Sequence, residues 1–118
     1  IVTTPQNVAL LDATKGIELF NRVQIPVMGV VENMSTHVCS NCGHEEQIFG
    51  TGGGDKLSEQ YDIPLLGRLP LNAQIRENAD AGKPSVLAED AAAASYIAIA
   101  EKIAQALPKA EKNQNRIF

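Results

Sequence analysis

The only two cysteines of the chain lie three positions apart, in the sequence Cys39-Ser40-Asn41-Cys42. Thiolates at this spacing bind one soft metal together, because the short turn brings both sulfurs to the same point. A closed tetrahedral site needs four ligands, so two cysteines supply half of it. Either nearby side chains complete the site, or a second copy of the chain does. The second arrangement would turn a metal site into a subunit interface.

Two other chemical interpretations of the cysteine pair stay open. His37 and His44 flank the pair and would complete a Cys₂His₂ zinc site within one chain, although the spacing differs from that of standard zinc fingers. A thioredoxin-like redox pair lies where a strand meets the N-terminus of a helix, whereas this pair lies in a long loop. A loop rich in Gly, Ser, Asn and His is a poor place to bury small residues, so metal or cluster ligation is favoured.

Composition limits the class of protein. The chain has 118 residues, of which 44% are hydrophobic, enough for one domain with a real core. Its net charge of −4 argues against a general nucleic-acid partner, and no apolar stretch approaches the roughly 20 residues that span a membrane. Two cysteines in such a pattern indicate metal or redox chemistry in a reducing compartment rather than a structural disulfide. The sequence therefore predicts a cytoplasmic protein with no membrane or nucleic-acid partner.

The order of apolar runs predicts an α/β fold with a mostly parallel sheet flanked by helices. The predicted strands are residues 1–4, 27–31 and 63–69, and the predicted helices are residues 8–23, 55–61, 72–80 and 90–107, with Asn7 as the first N-cap. Residues 1–108 are expected to form the domain, with a cysteine loop at 33–54 and a polar tail at 109–118. Because the chain opens on a strand already under way, we expect it to be a piece of a longer protein.

The glycine run Gly50-Thr51-Gly52-Gly53-Gly54-Asp55-Lys56 resembles a phosphate loop only superficially. A Walker A motif needs Gly, four residues and then Gly-Lys-Ser/Thr, whereas Asp55 and Leu57 occupy two of those positions here. A carboxylate at that point would also repel phosphate. The run is therefore predicted to be a flexible hinge that leads into a helix.

Several short segments occur along the chain in a specific order: Thr3-Thr-Pro-Gln6, Pro26-Val-Met-Gly-Val-Val-Glu-Asn-Met34, Cys39-x-x-Cys42-Gly43, Ile48-Phe-Gly50, Pro64-Leu-Leu-Gly67 and Leu69-Pro-Leu71. Together they resemble the C-terminal half of an Mrp/ApbC-type protein. These proteins are P-loop ATPases of the ParA/MinD-like class that carry iron–sulfur clusters. The resemblance covers nearly the whole chain, from about residue 1 to residue 107.

The resemblance implies a set of functional residues. Cys39 and Cys42 match the metal ligands of the family, which hold one [4Fe–4S] cluster between the two subunits of a homodimer. Asn33 matches an adenine-contacting residue, and Pro70 and Leu71 match the segment that packs beside the base. The implied function is assembly and transfer of clusters to apo iron–sulfur proteins, coupled to ATP and Mg²⁺ in the longer parent. No catalytic residue is assigned within this chain.

Two alternatives to the cluster carrier remain open at this point. One is a ParA/MinD-like partitioning or positioning ATPase that has no cluster and no need for the cysteine pair. The other is an interaction module stabilised by zinc, which metal analysis of anaerobically prepared protein would distinguish.

The 118-residue chain is predicted to have no ATPase activity, because it contains no Gly-x-x-x-x-Gly-Lys-Ser/Thr loop to hold the β- and γ-phosphates and Mg²⁺. Phosphate release from ATP should stay at the background rate in a preparation freed of contaminating ATPases. Turnover above background that is lost on replacing Lys56 with Ala would show that the glycine run binds phosphate.

Overall fold

The computed structural model describes residues 1–107, so the polar tail predicted at residues 109–118 lies outside the described part. The strands are β1 (Val2–Thr3), β2 (Val30–Glu32), β3 (His37–Val38), β4 (Glu45–Glu46) and β5 (Leu65–Arg68). The helices are α1 (Asn7–Arg22), α2 (Gly53–Tyr61), α3 (Ala73–Asp80) and α4 (Ala91–Ala106), with a single 3₁₀ turn at Ser85–Leu87. Among residues 1–107, none of the helices has the length and apolar character needed to cross a membrane.

A parallel sheet in the order β1-β2-β5 confirms the predicted α/β class. The central strand β2 begins later than predicted, at Val30, and the preceding residue explains the delay. Gly29 has a φ of 155°, and a Cβ at this position would lie 2.5 Å from the carbonyl oxygen of Pro64. The ladder with β5 therefore starts only at Val30, whose amide donates to Pro64 O over 2.9 Å.

Successive side chains of β2 point to opposite faces of the sheet, and each face is covered by helices. Val30 is fully buried with Ile17 of α1 and Leu57 of α2. Val31 packs on the other face in a second cluster, which contains Leu66, Leu69 and Ile99. This strand is buried on both sides, as expected for the middle of a parallel sheet.

Two of the four helices begin one residue after their predicted starts, Asn72 and Asp90, which serve as N-caps. The Asn72 side chain accepts a hydrogen bond from the Gln74 amide, and the Asp90 side chain accepts one from the Ala93 amide, each over 2.8 Å. The prediction of Asn7 as the cap of α1 is wrong. The extended residue before the helix is Gln6, so Asn7 is already helical.

Helix α2 starts at Gly53 rather than at residue 55, and the glycine run is not simply a hinge. Gly52 is the N-cap in a left-handed conformation, whereas Gly53 and Gly54 are buried in the first turn of the helix. A Cβ on Gly54 would lie 2.8 Å from Leu65 Cδ1 and 3.1 Å from the Cβ of Glu32. The hinge prediction is therefore wrong for these two residues, which bring helix and strand into close contact.

Replacing Gly54 with Ala should destabilise the fold, because overpacking costs about 1–3 kcal/mol and exceeds the roughly 1 kcal/mol that Ala gains in a helix. Gly16 offers a matched control within α1, since its Cβ would meet only Ile1 Cδ1, at 3.9 Å. We expect Gly16→Ala to raise the free energy of unfolding and Gly54→Ala to lower it, as measured by urea denaturation. A stabilising Gly54→Ala variant would contradict this close packing.

Candidate metal centre and the adjoining strand edge

The cysteine loop contains a small antiparallel hairpin that the sequence did not predict. His37 pairs with Glu46, and Val38 pairs with Glu45, so the four-residue cysteine segment lies at the tip. Each strand has only two residues, too few for alternation to be recognised in the sequence. The hairpin gives the cysteines a defined turn instead of an irregular loop.

The turn at the tip is closed by two backbone hydrogen bonds. The Cys39 amide donates to His44 O over 2.9 Å, and the Gly43 amide donates to Cys39 O over 2.8 Å. Gly43 has a φ of 71°, a left-handed conformation that glycine adopts without strain. Both cysteines are free, with Cys39 half-buried and Cys42 exposed. The chain therefore presents two thiols on one short, accessible turn.

The turn also favours the ionised form of one sulfur. The backbone N–H of Cys42 lowers the pKa of the Cys39 thiol, and the N–H of Asn41, the Cys42 thiol and the charge of His37 act in the same direction. Desolvation opposes these effects, and its influence is smaller than that of the three hydrogen bonds but larger than that of His37. Because the thiolate is the form that binds metal, the backbone of the turn prepares Cys39 as a ligand.

The two histidines are not gathered with the cysteines. His37 Nδ1 lies 3.0 Å from Leu71 O, and the His44 side chain is exposed, whereas its carbonyl closes the turn. Among residues 1–107, no group of three or more His, Cys, Asp or Glu side chains is arranged to hold one metal ion. The structure therefore does not assemble the Cys₂His₂ site that the sequence left open.

The segment that leads into the hairpin runs beside the predicted base-packing segment. The Ser35 amide donates to Leu69 O over 2.9 Å, and the Leu71 amide donates to Thr36 O over 2.8 Å. His37 adds its ring contact with Leu71 O. Leu71 is thus tied by hydrogen bonds to the strand that ends next to Cys39.

Asn33 and Pro70 lie on either side of this edge rather than in one pocket. The Asn33 amide donates to Thr3 O over 2.7 Å, and the residue lines a cavity of about 500 Å³ beside β1 and α1. Its side-chain oxygen accepts the Met34 amide over 2.9 Å. Pro70 lines a different cavity of about 230 Å³, together with Ser35 and the start of α4. The predicted nucleotide residues therefore share the carboxyl edge of the sheet but do not converge on one cavity.

Glu32, the last residue of β2, is a polar residue of this edge whose role the sequence did not reveal. Its side chain is 1% exposed and accepts hydrogen bonds from Ser35 Oγ and from the Gly54 amide, each over 2.6 Å. Arg68 Nε lies 3.5 Å from the same carboxylate. The sequence does offer one signal for this role: Glu32 directly follows the apolar run of a buried strand. A carboxylate buried at that point requires hydrogen-bond partners inside the fold.

Residues 1–106 match a ParA family model described as "NUBPL iron-transfer P-loop NTPase". The iron-sulfur cluster carrier protein of Haemophilus influenzae is 52% identical over 109 residues, which are 91% of this chain and 30% of the relative. The protein of the same name from Pyrococcus horikoshii is 44% identical over 91% of this chain and 37% of its own length. The chain thus spans about a third of the length of these curated relatives.

Solved structures give the same picture of the fold. A nucleotide-binding protein from Archaeoglobus fulgidus in complex with ADP is 30% identical, with a TM-score of 0.57 over 68% of this chain and 33% of that protein. The cell division ATPase MinD of Pyrococcus furiosus has a TM-score of 0.68 over 89% of this chain and 41% of its own, at 23% identity. The latter likeness concerns the fold alone.

The thiol of Cys39 is predicted to ionise at a lower pH in the folded chain than in the urea-unfolded chain, because the N–H groups of the turn stabilise the thiolate. The Cys42→Ser variant leaves Cys39 as the only thiol, and its alkylation rate by iodoacetamide measured against pH gives the pKa. Equal midpoints in the folded and unfolded states would show that the turn does not favour the thiolate.

Proposed function

The chain belongs to the ParA-type family of iron-transfer P-loop NTPases, and on that premise we propose that it carries an iron–sulfur cluster on Cys39 and Cys42. The observation that supports this most directly is the hairpin that offers two free thiols on one exposed turn. The relatives named as iron–sulfur cluster carrier proteins point in the same direction. The cargo would be a [4Fe–4S] cluster destined for apo iron–sulfur proteins.

The number of ligands supports a shared site. A [4Fe–4S] cluster commonly takes four thiolates, and this chain has two cysteines. A two-fold axis through the hairpin tips would bring Cys39 and Cys42 together with the same pair of a second copy. The cluster would then lie at the interface of a homodimer.

Exposure of the tip fits a carrier better than a permanent structural site. In our proposal, transfer is an exchange of ligands, in which thiolates of the recipient bind iron as Cys42 and Cys39 of both copies leave. Each departing sulfur takes a proton from solvent, and the cluster keeps its electrons. Cys42 is exposed and therefore accessible to an incoming thiolate.

The strand edge suggests how nucleotide would influence the cluster in the longer parent protein. We propose that the base of ATP is held near Asn33, Pro70 and Leu71, with Mg²⁺ and the phosphates bound by parts of the parent outside these 118 residues. Leu71 is hydrogen-bonded to Thr36, a few residues from Cys39. A shift of the base segment on hydrolysis would therefore reach the hairpin directly. We place this cycle in the cytoplasm.

A zinc-stabilised module is the alternative that one observation favours. A short hairpin with Cys-x-x-Cys-Gly at its tip also suits a zinc ion, which takes the same thiolate ligands. Iron and acid-labile sulfide in anaerobically prepared protein would indicate the carrier, whereas zinc alone would indicate the module. The MinD-like alternative is supported by the fold only, which does not fix function.

Anaerobic reconstitution is predicted to load about one [4Fe–4S] cluster per two chains, because four thiolates are required. Cys39→Ser or Cys42→Ser should abolish loading, as measured by iron and sulfide content per chain. Ser40→Ala, within the same turn, is the matched control and should load normally.

Two results would contradict this proposal. A cluster that stays on either serine variant would exclude the cysteine pair as its essential ligands. A stable cluster on a chain that elutes as a monomer would exclude the shared site.

A further inference from the structure

We propose that Glu32 is the positioning residue of the cysteine loop, residues 33–54, because its carboxylate accepts hydrogen bonds from both ends of that loop. One oxygen accepts from Ser35 Oγ, near the start of the loop, and the other accepts from the Gly54 amide, at its end. Both hydrogen bonds are 2.6 Å long. The inference rests on the proposed function in so far as the loop is the one that holds the cluster.

The surroundings of the carboxylate explain why a glutamate is needed. A polar group that is 1% exposed is costly to bury unless it is fully bonded. Arg68 Nε lies 3.5 Å away, and Arg68 is itself bonded to Asp55 over 2.6 Å. The Gly54 amide faces one oxygen and the Arg68 guanidinium faces the other, and since both groups can only donate, both oxygens must accept. A glutamine would turn an N–H₂ group towards one of the donors.

The length of the side chain matters as much as its charge. Gly54 has no side chain, and a Cβ there would lie 3.2 Å from Glu32 Oε2, so the helix start approaches the carboxylate closely. An aspartate would keep the charge beside Arg68 but would be shorter by one methylene group. The aspartate carboxylate could not bond to both ends of the loop unless one end moved.

Glu32 also links the loop to the strand edge through its backbone. Its carbonyl accepts the Leu69 amide over 2.9 Å, and the Leu69 carbonyl accepts the Ser35 amide over 2.9 Å. The turn around Cys39 is closed by its own local hydrogen bonds, so it persists without the carboxylate. What the carboxylate sets is the direction in which the tip leaves the sheet. Four sulfurs from two copies meet at one cluster only if both tips keep that direction.

Hydrogen exchange on the metal-free chain tests whether Glu32 holds the two ends of the loop, and it needs no cluster. In Glu32→Gln and Glu32→Asp, the Gly54 and Ser35 amides should exchange about tenfold faster, the effect of losing a hydrogen bond of about 1–1.5 kcal/mol. The Val30 and Val31 amides, in the centre of the sheet, should keep their wild-type rates. Equal acceleration of all four amides would mean that Glu32 stabilises the whole fold without positioning the loop, and unchanged rates would mean that it does neither.

The Asp55→Asn variant is the matched control. It removes the exposed partner of Arg68 and leaves both bonds from Glu32 to the loop intact. Its loop amides should exchange at the wild-type rate. Acceleration as large as in Glu32→Gln would show that the ion pairs, and not the bridging carboxylate, hold the loop.

The rate at which an iron chelator removes the reconstituted cluster tests whether the Glu32 hydrogen bonds help the chain to hold that cluster. The cluster that Glu32→Gln loads should be lost several-fold faster than the wild-type cluster, as followed by absorption. Equal rates of loss would overturn the positioning role. If wild type loads no cluster, the proposed function fails. The rates of amide hydrogen exchange still decide whether Glu32 holds the two ends of the loop.

Discussion

The three residues of strand β2 are the constraint on which the rest of the structure depends. Val30 and Val31 are buried on opposite faces of the sheet, so a slip by one residue would turn Glu32 away from α2 and into the apolar cluster on the other face. The same alternation turns Glu32 towards the face covered by α2, where it accepts the Gly54 amide. The register of β2 therefore fixes the core, the start of α2 and both ends of the cysteine loop.

The shortage of ligands shapes the function that we propose. Two thiols on an exposed turn make an incomplete site, which in our proposal a second copy of the chain completes. Such a site is also easier to open than four cysteines buried in one chain, since separating the two copies removes half of the ligands. The turn around Gly43 is closed by its own hydrogen bonds, whereas in our proposal its direction depends on contacts at the sheet. This combination suits a carrier, which must hold its cargo and then release it.

Much of the fold was predictable, because the relevant signals are local. The apolar run before Glu32 indicated the central strand, and Asn72 and Asp90 indicated two helix starts that their side-chain hydrogen bonds confirm. The hairpin was missed because its strands have two residues each. The hinge prediction is wrong for Gly54, since nothing in the sequence shows that the distant residues Leu65 and Glu32 leave no room for a Cβ.

The candidate site was predicted unevenly for the same reason. Cysteine spacing is visible in the sequence, and the pair does lie on one turn. The bridging role of Glu32 depends on residues far apart in the chain and emerges only when they meet in space. Asn33, Pro70 and Leu71 were assigned by resemblance, and the assignment remains a prediction, since they share an edge but not a cavity.

Native mass spectrometry of the anaerobically reconstituted chain tests the central claim most directly, because it weighs protein and cluster together. The account predicts one species with the mass of two chains plus about one [4Fe–4S] cluster, since two copies are needed to supply four thiolates. A species of one chain with its own cluster, or of two chains that carry only zinc, would contradict it.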